Sequence, residues 1–148
     1  MKFRWLFLLL LFSACDDFSE CGVTDASEEI YVNFYNIDSK ADTTVTFQSS
    51  QALFPSGPVL VDNVSKDVEG YILPLDMASN MTDFIFTSNE IDYDLQVGYT
   101  TKAFIENPDC GPIFLVRNIT AQSVAFDSVV VKVTELSKNI APHVEIYF

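Results

Sequence analysis

The feature that most constrains this fold is a two-residue apolar period that recurs from residue 30 to the C-terminus. Ile30, Val32 and Phe34 alternate with Tyr31, Asn33 and Tyr35. Val45 and Phe47 alternate with threonines and Gln48. Tyr93, Leu95, Val97 and Tyr99 are separated by Asp94, Gln96 and Gly98. Val129, Val131 and Val133 alternate with Val130 and Lys132, and Val144, Ile146 and Phe148 with Glu145 and Tyr147. Shorter apolar runs stand at Tyr71–Leu73, Phe84–Phe86 and Ile113–Val116. A side chain that changes sides at every residue belongs to a strand with one buried face, and Val, Ile, Phe, Tyr and Thr suit a pleated surface. After Cys15 no stretch holds a helical period with caps.

Turn-type clusters separate the runs: Asn36-Ile37-Asp38-Ser39, Pro55-Ser56-Gly57-Pro58, Glu69-Gly70, Ser88-Asn89-Glu90, Asn107-Pro108-Asp109, and Asn139 with Pro142. The spacing predicts an all-β domain over residues 28–148. Its expected form is a single antiparallel β-sandwich, immunoglobulin-like, with about eight strands. There is no internal repeat and no sign of a second domain.

The start of the chain follows another logic. Lys2 and Arg4 precede an apolar run of eight residues, Trp5–Phe12, and then Ser13, Ala14 and Cys15. This is the order of a secretory signal. The run is far short of the roughly 20 residues that a membrane-spanning helix needs. Phe12-Ser13-Ala14-Cys15 resembles the bacterial lipobox. That resemblance implies a signal peptide over residues 1–14, cleavage before Cys15, and lipid (diacylglycerol and an acyl chain such as palmitate) on Cys15. Each buried methylene of such chains contributes about 0.8 kcal/mol, and more than one chain makes the anchoring firm. Residues 15–27 then form a lipidated acidic linker. Asp16-Asp17-Phe18 looks like the acidic address that exports Bacteroidetes lipoproteins to the cell surface. Either face of the outer membrane, periplasmic or outer, remains open, since acidic spacers are also common.

Charge narrows the partners. The chain has 8 basic and 21 acidic residues, a net of −13. Loss of Lys2 and Arg4 with the signal leaves 6 basic residues against the same 21, a net of −15. Nucleic acid rewards basic patches, so it is not an expected partner, and nor is an anionic lipid surface. With Cys15 assigned to lipid, Cys21 and Cys110 remain as an even pair in an oxidising compartment, and one disulfide is expected. Its loop of about 89 residues would be worth roughly 4–5 kcal/mol in the chain-entropy account.

Candidate sites are few. His143 is the only histidine and lacks any recognisable nucleophile motif, so a structural hydrogen bond is its simplest role. Glu90, Asp92 and Asp94 alternate, which places them on one strand face; a solvated face is the simpler reading and calcium the sharper one. Two cysteines and one histidine do not make a zinc pattern. Tyr31, Tyr35, Tyr93 and Tyr99 offer ring surface in a mature chain without tryptophan, but alternating tyrosines are more often half-buried packing. There is no phosphate loop. No catalytic residue, metal or cofactor is assigned.

Several weak features in fixed order resemble an uncharacterised family of small Bacteroidetes lipoproteins. They are Cys21 soon after the lipid cysteine, Ile30–Tyr35, Leu73-Pro74-Leu75, Phe84-Ile85-Phe86 before an acidic stretch, Cys110-Gly111, and the closing His143–Phe148. The match departs at Asp109, where the family usually has a small residue. The resemblance implies fold and location but no chemistry. The expectation is an outer-membrane lipoprotein that is not an enzyme and serves as a protein-interaction or structural component of the envelope. The alternative is a surface module that binds glycan or peptide.

Overall fold

A computed structural model describes residues 26–105, 108, 111–137 and 141–148. The described residues form an all-β, sandwich-like body of eleven strands in three sheets. The strands are β1 (Glu29–Tyr35), β2 (Val45–Phe47), β3 (Ser49–Phe54), β4 (Gly57–Asp62), β5 (Lys66–Val68), β6 (Gly70–Pro74), β7 (Met81–Ser88), β8 (Ile91–Phe104), β9 (Ile113–Gln122), β10 (Ser128–Val131) and β11 (Val144–Tyr147). A four-stranded sheet runs β10-β11-β1-β6, a five-stranded sheet runs β4-β3-β7-β8-β9, and β2 pairs with β5 alone.

The alternation in the sequence is the burial pattern. Ile30, Val32 and Phe34 are fully buried on one side of β1, as are Phe84 and Phe86 on β7 and Leu95 and Val97 on β8. The two larger sheets meet through these side chains. Phe86 of one sheet lies 6.3 Å from Phe34 and 5.7 Å from Tyr71 of the other. Phe47 of β2 closes the same cluster, at 5.3 Å from Phe86. Aromatic pairs in tilted and edge contact contribute beyond the area they bury.

Two expectations need correction. The strands number eleven rather than about eight, because β3, β4 and β5 lie where the alternation is broken. The sandwich is also not purely antiparallel: β11 runs parallel to β1, pairing Val32 with Val144 and Phe34 with Ile146. A parallel pair needs a long connection, and here nearly the whole domain separates its two members. The last strand thereby enters between β1 and β10 rather than at an edge.

Bulges shape the five-stranded sheet. The register shifts between Gly98 and Thr100 on β8, opposite Asn118, which has a φ of 53°. It shifts again between Ser50 and Gln51 of β3, so that β4 carries one extra residue beside them. Such shifts bend a strand and blunt a sheet edge.

Candidate functional site

The residues singled out in the sequence go to different places. Cys15, Cys21 and Cys110, and with them the lipid and disulfide assignments, lie outside the described residues, as do residues 1–14 and Asp16-Asp17. His143 is buried just before β11. Its Nδ1 accepts the Tyr31 amide at 2.8 Å, which leaves the ring proton on Nε2 to be donated to the Ser137 carbonyl at 3.1 Å. Its own amide donates to the Tyr31 carbonyl at 2.8 Å. The imidazole therefore continues the parallel β1–β11 ladder. His143→Ala is expected to cost about 1–3 kcal/mol of stability by orphaning the Tyr31 amide, more if the cavity stays open. Urea unfolding measures it, and a loss below about 0.5 kcal/mol would deny the ring this role.

The acidic triplet does not share a strand face. Asn89 and Glu90 both have positive φ, 49° and 66°, and form the two-residue turn between β7 and β8, as type I′ geometry requires. Only Asp92 and Asp94 stand on β8, on its side away from the core. Among the described residues no group of three or more His, Cys, Asp or Glu is placed to hold a metal ion. The four tyrosines divide in the same way. Tyr93 packs 5.3 Å from Phe126 and 5.7 Å from Phe148 in the core. Tyr99 is buried and donates its hydroxyl to the Asp76 carbonyl at 2.8 Å, and burial raises its pKa above the usual tyrosine value. Tyr31 and Tyr35 stay half-buried on the outer side of the four-stranded sheet, where Tyr147 joins Tyr35 at 5.5 Å.

The surface that no motif marked is the outer face of the five-stranded sheet. The register aligns Pro58, Leu53, Asp83, Gln96 and Gln122 in one row across β4, β3, β7, β8 and β9. The next row holds Leu60, Gln51, Ile85 and Asp94. A chain of amides crosses the first row: Gln122 Nε2 donates to Gln96 Oε1 at 2.6 Å, and Gln96 Nε2 donates to Asp83 Oδ1 at 2.8 Å. Asp94 Oδ1 accepts the Val124 amide at 3.3 Å and holds the turn after β9. That turn sets Val124 on the rim with 96% of its surface exposed. Leu53, Leu60 and Met81 are 42%, 55% and 43% exposed, and Leu53, Ile85 and Val124 line an open cleft of about 370 Å³. Of these residues the alternation in the sequence marks only Ile85, Asp94 and Gln96 as strand positions, and the adjacency of all of them exists only through the register.

Charge in the cleft is one-sided: Asp83 and Asp94 line it, while the basic residues of the sheet, Lys102 on β8 and Arg117 on β9, stand toward its other end. The ion pairs among the described residues are Lys66–Asp62, Arg117–Glu135 and Lys132–Glu145. Lys66 holds the Asp62 carboxyl below the usual carboxylate range. Asp83 and Asp94 have no cation within ion-pair distance among the described residues.

The chain shows no significant similarity to a curated protein or to a solved structure. Residues 56–148, from the β3–β4 turn to the end of the chain, match the profile of a family of unknown function, DUF6452. The match covers more than half of the chain, which therefore belongs to this family.

Proposed function

We propose that this protein is a lipid-anchored lipoprotein of the outer membrane of Bacteroidetes, acting without catalysis as a protein-interaction component of the envelope. The observation that carries the interaction reading is the apolar surface around Leu53, Leu60, Met81 and Val124 on one sheet face. Exposed apolar side chains gathered on a face mark association surfaces more often than singly scattered ones do. The order of charge, apolar run and small residues before Cys15 supports the anchor. The linker reaches the domain at β1, an interior strand laddered to β6 on one side and β11 on the other, so a pull on the tether loads two ladders at once.

Mild crosslinking of whole envelope followed by pulldown is expected to recover one envelope protein with the wild-type chain. The paired substitution Leu53→Lys and Leu60→Lys, at exposed positions, is expected to lose it while the domain stays folded. Recovery of nothing above background from the wild-type chain overturns the reading. The anchor has its own test: Cys15→Ala is expected to abolish uptake of labelled palmitate and to release the chain from the membrane fraction. Label uptake that persists in this variant would refute lipidation at Cys15.

A further inference from the structure

The occupant of this face can be argued from charge. Among the described residues, the only charged side chains that line the cleft are two carboxylates, Asp83 and Asp94. Each amide in the Gln122–Gln96–Asp83 chain spends a donor on its neighbour, and the chain ends on a carboxylate. The second carboxylate, Asp94, faces the same cleft. A carboxylate beside apolar surface and away from any basic side chain favours a donor that brings positive charge. A second copy docked through this same face would set Asp83 and Asp94 against another pair of acids, in a protein whose net charge is already −13. Like charges brought together in this way suppress the wrong partner.

We propose, building on the interaction reading above, that the cleft between Leu53, Ile85 and Val124 receives a partner-protein segment carrying arginine or lysine beside an apolar residue. The basic group meets Asp83 and Asp94, and the apolar residue covers Leu53 and Val124. Bidentate geometry favours arginine over lysine at such a site.

A photo-crosslinking amino acid at Val124, in the full-length chain in cells that produce it, tests this directly. Matching probes at Ile72 and Val130, exposed on the other large sheet, provide the comparison. The Val124 adduct is expected to map, by mass spectrometry, to a partner peptide with a basic residue within a few positions of the crosslink. Combining the probe with Asp83→Asn and Asp94→Asn, which keep side-chain shape, is expected to reduce its yield about tenfold, the loss of one charge-assisted contact. An adduct on an acidic segment, an adduct on a second copy of this chain, or a yield unchanged by the two substitutions overturns the proposal. A partner captured only through Ile72 or Val130 overturns it while leaving the interaction reading standing. Capture from no position removes both.

Discussion

Truncation of Phe47 to alanine is expected to lower the unfolding free energy by about 3–5 kcal/mol, the range for removing a large aromatic from a closed core. Domains of ordinary stability have about 5–15 kcal/mol to lose, so the variant would sit close to unfolding. Phe47 is fully buried, although its strand, β2, has only three residues and pairs only with β5. Two three-residue strands cannot hold themselves in place, because an isolated hairpin is at best marginal in water. The ring is their main anchor in the core, its centroid 5.5 Å from Phe34, 5.3 Å from Phe86 and 6.1 Å from Tyr93, beside the smaller contacts of Val45 and Val68 and the Ser88 hydroxyl's bond to the Thr46 carbonyl. The loss should therefore have a local signature. Hydrogen exchange is expected to speed up first at Val45–Phe47 and Lys66–Val68, ahead of β1 and β7. Phe47→Leu keeps much of the volume and should cost less. A Phe47→Ala loss below about 1 kcal/mol would mean that the two short strands dock by other contacts.

Phe47 also shows why part of this fold was legible in sequence. Where large apolar residues occupy inward positions, as in β1, β7, β8 and β11, the two-residue period writes the strand out. In β3 the inward residues are Ser50 and Ala52, both fully buried. They are small, and one is polar, so the strand reads as a loop. In β4 the apolar residues Val59 and Leu60 are exposed, which breaks the alternation in the opposite sense. β5 is Lys66-Asp67-Val68, too short and too charged for any period. The site was harder still. Asp94 was visible as an acidic residue on a strand, but Asp83, Gln96 and Val124 are far apart in sequence and carry no motif. Only the pairing of β7 with β8, and the turn after β9, bring them together. Glu90 falls in phase with Asp92 and Asp94 in the sequence, but it belongs to the turn that Ser88-Asn89-Glu90 marks, so the period does not carry through it.

The other large effect is expected at a glycine. A Cβ added to Gly70 would stand 2.2 Å from the Val32 carbonyl oxygen and 2.3 Å from Asn33 Oδ1. Both approaches are well inside contact distance, and the first is to backbone, which no side-chain rotation relieves. Gly70→Ala must therefore push the start of β6 away from β1. That movement strains the Phe34 amide's hydrogen bond to the Glu69 carbonyl, 2.9 Å long, and the pairing of Asn33 with Gly70 and Val32 with Tyr71. It also lifts Tyr71, a buried ring that spans the two sheets through Phe86. Alanine would gain about 0.5–1 kcal/mol over glycine from the reduced entropy of the unfolded chain. Overpacking costs about 1–3 kcal/mol, and loosened ladder bonds add to it, so the expected net is a loss of about 2–4 kcal/mol. Asn33→Ala in the same chain separates the two clashes, because it removes the side-chain oxygen and leaves the carbonyl. If the Val32 carbonyl dominates, the double variant recovers less than half of the Gly70→Ala loss in a double-mutant cycle. Full recovery would place the restriction in the Asn33 side chain, and a neutral Gly70→Ala would show that β6 is free to shift against β1.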